Sequence, residues 1–537
     1  VSATLYTGAD VVTLDADRPH ATAIATAGDR IAAVGDEAEC RAALRGTDFD
    51  AVDLRGACVV PGFIDTHLHP IAQIYFDMHA DLRGAASIAD VQAALRRAAD
   101  RLPPDEWLVG LQLEDADLAE RRLPTRRELD AACPERPVVV VKRDGHSASG
   151  NARALALAGI DGSTPDPDGG RIEREPDGTP SGPCREAAGW RLVGAVPPPS
   201  LDRLHATAGA TFARFAACGI TTAGVVLQTD DEGPGGSAGS LESVALQVLL
   251  DVVPFATYAI LAGRNVDAAV AARTSPLHDP ARGRRVGGFK IFADGTFGSC
   301  TACMRQPFSD HPEQRGAMTL ADDDILERMR RADAAGFQIC VHTIGDGAVE
   351  RCVGLFEQLL AGRERSDHRH RLEHASLVPP ELIPRMAALG LAVSTQPLFI
   401  RSERHWLHRR LGRERARHAY PLRALLDAGL LVAGASDAPV ESVRVLDAIE
   451  CCVTRDGFET HQGITPLEAL KLFTIDAARA QHDEHETGSL VAGKRADLVV
   501  LDRNPLLVAP GDIGRLAVLR TVAGGRVVHD LLSTEHP

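Results

Sequence analysis

Val60-Pro61-Gly62-Phe63-Ile64-Asp65-Thr66-His67-Leu68-His69 carries an apolar stretch into two histidines one residue apart. Read as a buried strand, its alternation of faces puts His67 and His69 on one side, about two residues' rise apart. Neutral imidazole is the commonest protein ligand for zinc, so the end of this strand is a candidate half of a metal site. A lone His-x-His among twenty histidines carries little weight. The rest of the chain has to supply further ligands and a scaffold that gathers them.

Downstream, strand-like and helix-like stretches alternate. The patterning predicts strands at Ile220–Val226, Pro254–Ile260, Val286–Phe292, Phe337–His342, Arg371–His374, Leu391–Gln396 and Leu431–Ser436, with helices such as Asp322–Ala335, Ala348–Leu360, Pro380–Leu389 and Pro421–Ala428 between them. With the opening strand these make eight, the arithmetic of a closed parallel barrel. The expected fold is therefore α/β, a (β/α)8 TIM barrel over 59–481. An open doubly wound sheet is the alternative, but no early strand is followed by a glycine-rich dinucleotide fingerprint.

Two additions are expected. Residues 71–205 are too long for a structureless loop and contain their own helix (Ser87–Arg101), strands (Trp107–Leu113, Val138–Lys142) and a turn-rich tract from Asp161 to Pro183. They read as a lobe inserted after the first barrel strand, able to cover the catalytic end. Short alternating strands before residue 58, and others from Gly488–Leu490 on to Val528, predict a small β-sandwich domain formed by both termini, 1–58 plus 482–537. The glycine-rich segment Glu232–Ser240 lacks Gly-Lys-Ser/Thr, so it reads as a mobile connection or lid rather than a phosphate cradle.

Bulk properties narrow the function. The formal net charge of -16 leaves no basic surplus for phosphates, which argues against nucleic acid. No apolar run approaches a membrane span and the opening residues lack a signal-peptide pattern. Eleven scattered cysteines suit a reducing compartment better than a disulfide framework, and Cys300-x-x-Cys303 reads as coincidence. The expectation is a cytoplasmic protein acting on a small molecule, with no nucleic-acid or membrane partner and a homodimer as the candidate assembly.

Barrel enzymes carry their reactive groups at the C-terminal ends of the strands. There lie His67 and His69, Lys290, His342, His374 and Asp437: five of the eight expected strands end in a group able to bind metal. Lys290 is notable because the only lysines are Lys142, Lys290, Lys471 and Lys494, and an unpaired buried ammonium is costly.

These residues resemble the amidohydrolase superfamily of metal-dependent hydrolases. The resemblance rests on Pro61-Gly62-Phe63-Ile64-Asp65-x-His67-x-His69, His342, His374, Ser436-Asp437-Ala438-Pro439 and the closing Gly488-x-Leu490-x-x-Gly493-x-x-Ala496-Asp497-Leu498-Val499-Val500-Leu501-Asp502. Arg143-Asp144-Gly145-His146, Asn151-x-x-Ala154-Leu155, Thr164-Pro165-Asp166-Pro167-x-Gly169-Gly170, Phe292-Ala293-Asp294-Gly295 and His342-x-Ile344-Gly345-Asp346 narrow it to the "amidohydrolase 3" subgroup, which includes N-substituted formamide deformylase-like proteins. Gly347, Ala435 and Cys300 depart from the subgroup's usual residues without removing a ligand.

The resemblance implies one or two zinc ions, with another divalent metal as an alternative. His67 and His69 with Asp437 would hold the first, and His342 and His374 the second. Lys290, as an N6-carboxylated lysine, would bridge them; arginine could not replace it because its guanidinium stays protonated. It also implies hydrolysis of a non-peptide carbon–nitrogen bond in an amide, formamide or cyclic amide, with metal-activated hydroxide and Asp437 moving the proton. Ester hydrolysis or metal-assisted decarboxylation would use the same ligands, and a non-catalytic regulatory or assembly relative is the reading from another class. Candidate substrate contacts are His146 on the lobe, Asp294 beyond Lys290, and Gln396 at the end of the seventh strand. The arginine-rich run Arg401 to Arg417 is expected to be mainly a solvated helix face.

Overall fold

The computed structural model describes residues 3–103, 106–115, 117–142, 147–167, 170–197, 199–233, 239–362 and 367–532. Eight parallel strands form one sheet in chain order: β1 (Phe63–Leu68), β2 (Ile220–Gln228), β3 (Ala256–Ala262), β4 (Arg284–Phe292), β5 (Gln338–Thr343), β6 (Arg371–His374), β7 (Ala392–Thr395) and β8 (Leu431–Gly434). Both faces of these strands are covered, so they read as near-continuous apolar runs; β2 and β3 are buried at every position. The predicted strands fall on these eight with end shifts of a few residues. Helices Asp322–Ala334 and Asp346–Leu360 lie where expected. The segment predicted as helix Pro380–Leu389 is instead a 3-10 turn, Pro380–Leu382, followed by helix Ile383–Leu389. Pro384 has no N–H to donate and is accommodated in the first turn of the second piece.

The sheet is nearly closed. β8 and β1 share no ladder pairing among the described residues; side chains and loop backbone bridge the seam. Thr66 Oγ1 donates to Gly434 O at 3.0 Å, Asp437 N donates to His67 O at 2.8 Å and His69 N to Ala438 O at 2.8 Å. Asp65 Oδ1 accepts from Ser436 N at 3.1 Å and from His67 N at 3.2 Å. These bonds all lie where β1 and β8 end, and they bring Asp437 to the two histidines.

β1 is not a plain strand. Against β2, Ala223 pairs with Asp65 and Val225 with Leu68, so Thr66 and His67 together face Gly224, an extra-residue bulge. A Cβ at Gly224 would lie 2.1 Å from Thr66 O, so only glycine fits opposite the bulge. The bulge lets consecutive residues both serve the interior. Thr66 Oγ1 bonds Ser394 Oγ at 2.9 Å, while His67 reaches Glu373 and Lys290. Simple alternation therefore does not describe this strand.

The chain divides into two compact units, Val1–Ile71 with Phe212–Pro537, and Ala72–Thr211. In the second, six strands order as Gly170–Arg174, Pro180–Glu186, Ser147–Gly150, Val138–Lys142, Leu108–Leu113 and Ala80–Asp81. Ser87 caps helix Ile88–Ala99. Asn151, fully buried, caps helix Ala152–Leu157 and takes Val138 N on the same oxygen at 3.0 Å. Within and just beyond the turn-rich tract lies the hairpin Gly170–Arg174 with Pro180–Glu186. Its strands carry Gly, Pro, Arg and Glu instead of an apolar alternation, which hides them from pattern reading.

In the first unit, N-terminal strands alone form a four-stranded sheet (Arg30–Gly35, Ala23–Ala27, Ala3–Thr7, Asp50–Asp53). A six-stranded sheet mixes both ends: Arg526–Asp530, Val518–Ala523, Leu498–Leu501, Cys58–Pro61, Asp10–Val12 and His20–Ala21. Tyr6, Ile24 and Ile31 from the first share one buried cluster with Val59, Leu498 and Val500 from the second. Gly488–Leu490, expected as a strand, is not one. No helix among the described residues is long and apolar enough to cross a membrane. Most of the glycine-rich segment 232–240 lies outside the described residues.

Candidate metal centre

The strand ends bring the expected residues together. His67 Nε2 stands 3.4 Å from Asp437 Oδ1 and 3.4 Å from Lys290 Nζ, and His69 Nε2 stands 3.2 Å from Asp437 Oδ1. One ligand atom from each of His67, His69 and Asp437 lies within 4.8 Å of the others. The rings of His342 and His374 are 4.5 Å apart, and His374 is 5.2 Å from His67. Register explains part of this gathering: Phe292 pairs with His342, and Lys290 with Cys340, across β4 and β5. Backbone turns explain the rest. His374, Ala375 and Asp437 adopt φ of 71°, 44° and 57°, a left-handed conformation unfavourable for non-glycine residues and tolerated where surrounding bonds enforce it. At the end of β6 this turn aims Glu373 and His374, neighbours in sequence, into the same interior.

The donor set fits a divalent cation. Each of three histidines spends one ring nitrogen on an oxygen and leaves the other for a metal. His67 Nδ1 is bound to Glu373 Oε2, His374 Nδ1 to Gln396 Oε1 at 2.7 Å, and His342 Nε2 to Gly295 O at 3.1 Å. With Nδ1 donating to Glu373, the Nε2 lone pair of His67 faces an acceptor oxygen of Asp437, an arrangement that a cation between them would stabilise.

Burial sets the electrostatics. It pushes His67 down to about 4, with Lys290 adding to the effect, and His374 down to about 3; His342 is also held well below the ordinary value, by burial and then His374. All three are neutral near pH 7. Burial likewise lowers Lys290, against the pull of Glu373 and Asp437. For Asp437 burial acts upward, but His67, His69 and His374 outweigh it and hold the carboxyl well below the usual range.

The remaining expected residues have defined places. Asp294 lies 3.5 Å from His342 Nε2 and accepts the backbone N–H groups of Cys303 (2.9 Å), Ile344 (3.0 Å) and Gly345 (2.9 Å). It ties the loop after β4 to the loop after β5, while burial pushes its carboxyl up to about 7 despite those three bonds. Gln396 is fully buried beside His374. His146 lies outside the described residues. The run from Arg401 to Arg417 is largely exposed or half-buried, but Arg410 is buried, donating to Phe297 O, Gly298 O and Asp310, and Arg415 donates to Gln306 O and Pro307 O. Carbonyls of the loop after β4, which no composition reading reveals, take up these guanidinium groups.

Sequence reasoning passed over Arg371 and Glu373. Both are fully buried, and Arg371 Nε donates to Glu373 Oε1 at 2.7 Å. Their signal was available: an arginine and a glutamate two apart in a strand share a face, and here it is a barrel interior.

Fold and site together are those of a parallel-barrel protein with a candidate divalent-metal site at its strand ends. A sequence model of the amidohydrolase family, Amidohydro_3, matches residues 50–529, and the chain belongs to that family. It is similar to N-substituted formamide deformylase of Arthrobacter pascens, 30% identical over 535 residues that cover 96% of each chain. Among solved structures it resembles an uncharacterized metal-dependent hydrolase from Pyrococcus furiosus, with a TM-score of 0.75 and 24% identity over 94% of this chain and 100% of that one. Atrazine chlorohydrolase TrzN from Arthrobacter aurescens TC1, complexed with zinc, gives a TM-score of 0.54 and 15% identity over 98% of this chain and 95% of that one.

Proposed function

We propose that this chain hydrolyses a non-peptide carbon–nitrogen bond in an amide, formamide or cyclic amide, at a divalent-metal centre of His67, His69 and Asp437. The observation that carries the reading is the convergence of those three ligand atoms within 4.8 Å, His67 and Asp437 buried and His69 partly so. The formamide deformylase relative and the zinc complex of TrzN support bond type and metal respectively.

When bound, zinc or a similar cation lowers the pKa of a water and polarises a substrate carbonyl. The chain's residues do the rest. His67 and His69 would present their ring nitrogens to the cation, and His342 and His374 would hold a second cation. Asp437, ionised at neutral pH, takes the proton of the attacking water on its carboxylate and returns it to the departing nitrogen, first base and then acid. Lys290, 1% exposed and 3.4 Å from His67 Nε2, serves as an N6-carboxylated lysine: only as a carbamate does it offer an anionic oxygen. The loop after β4, braced by Asp294, fixes the wall beside His342.

Metal analysis of the purified protein is expected to give at least one equivalent of firmly bound transition metal. Turnover is expected on a panel of N-acyl, N-formyl and cyclic amides in preference to matched esters. Asp437→Asn, reloaded with metal, is expected to lose about 100-fold or more in kcat. Esters turned over faster than every amide would overturn the bond assignment.

A further inference from the structure

A barrel strand ordinarily turns packed apolar side chains inward. β6 instead turns inward a fully buried ion pair, Arg371 and Glu373. Arg371 Nε donates to Glu373 Oε1 at 2.7 Å, and its Nη2 to Thr66 O at 3.4 Å, in the residue before His67. Glu373 Oε2 is bound to His67 Nδ1. Desolvation can outweigh the attraction within a buried pair, and apolar replacements are often at least as stable. Stability alone is thus a poor reason for this arrangement.

We propose that the Arg371–Glu373 pair is a tautomer lock on His67, a positioning device that keeps the hydrogen on Nδ1 and the lone pair on Nε2. This rests on the metal reading of the site. The logic is one of donors and acceptors. A guanidinium can only donate and an ionised carboxylate can only accept. Arg371 therefore occupies Oε1 as a donor and holds Oε2 ready for a second donor. A neutral His67 meets that demand only with hydrogen on Nδ1, which leaves Nε2 free toward Asp437 and Lys290. Arg371 also donates to the carbonyl of Thr66, so it helps hold the bulge that aims the ring.

The lock makes a counter-intuitive prediction about Glu373→Gln, which preserves size and shape. Arg371, still a pure donor, takes the carboxamide oxygen, so the NH2 group faces His67 Nδ1. Nδ1 must then accept, its hydrogen moves to Nε2, and the lone pair for the metal is gone. Removing the donor of Arg371 as well, in R371M/E373Q, lets the carboxamide turn over and present its oxygen to Nδ1. A second substitution thus repairs the first.

Two measurements test this. Metal-free wild type, E373Q and R371M/E373Q are titrated with zinc against a chromophoric chelator, with thermal melts of each. E373Q is expected to bind about 10- to 100-fold more weakly, the double variant to recover most of the loss, and all three to melt cooperatively. In parallel, 15N spectra of histidine-labelled metal-free protein, with His67 assigned by its loss in H67N, are expected to show hydrogen on Nδ1 in wild type, on Nε2 in E373Q, and on Nδ1 again in the double variant. Unchanged tautomer and affinity in E373Q, or a double variant weaker than the single one, would overturn the lock. A wild type that takes up no zinc while the tautomer still switches would sink the metal reading and leave the lock standing.

Discussion

Burial makes imidazole neutral at several places in this chain, and outside the proposed metal centre this has a measurable consequence for stability. His79 is 8% exposed and meets the edge of the Tyr75 ring at 4.5 Å. Burial, with the charge of Arg203 adding to it, pushes its pKa down to about 4. In the unfolded chain the value returns to about 6.5, so between these limits the unfolded state binds more protons and stability falls as the pH drops. Integrated from pH 7 to pH 5, this one histidine removes about 2 kcal/mol. Urea melts of wild type at the two pH values are expected to show that loss in the unit that contains residues 72–211. His79→Leu, which has nothing to protonate, is expected to flatten the dependence by the same amount. An unchanged pH dependence in the variant would assign the acid sensitivity to other groups.

At the scale of elements, the bulge in β1 and the left-handed turn ending β6 do what regular strands cannot: each delivers two consecutive side chains to one interior. The bulge depends on Gly224. Its Cβ position lies 2.1 Å from Thr66 O and 2.8 Å from Gln481 Nε2, a backbone clash that cannot be relieved by a rotamer change. Gly224→Ala is therefore expected to destabilise by about 2 kcal/mol or more, and to weaken metal binding because the displaced segment carries His67. Gly354 is the matched opposite. It lies inside helix Asp346–Leu360 with nothing within 4 Å of its Cβ position, so Gly354→Ala is expected to stabilise by about 0.5–1 kcal/mol. Thermal melts of the pair, with metal content measured alongside, check both signs.

The whole molecule was legible in sequence to the extent that one face of an element announces itself. β2, β3 and β4 are apolar runs between turn residues, and His67, His342, His374 and Asp437 end such runs, so strand order and the site's main groups followed from pattern. What depends on a partner far along the chain did not. Glu373 became meaningful only when β6 lay opposite His67, Arg410 only when the carbonyls of Phe297 and Gly298 came within reach, and the bulge only when β1 was set against β2. The strand Cys58–Pro61 shows the same dependence on distant residues at the largest scale. It pairs antiparallel with Leu498–Leu501, Val60 opposite Val499, and Gly62 N donates to Asp497 O at 3.0 Å. Directly beyond Gly62 it becomes β1, which carries His67. Removing residues 482–537 would leave Val59 and Val60, both fully buried, along an unpaired edge, and exposed apolar edges pair with other chains. It would also release the bond from Thr521 Oγ1 to Ala216 O at 2.7 Å, at the end of the segment that leads into β2. The expected outcome for a chain of residues 1–481 is aggregation on gel filtration and loss of the wild-type metal equivalent, although every proposed ligand is still present. A monodisperse, metal-loaded 1–481 chain would show that the barrel holds β1 in place without help from the C-terminal strands.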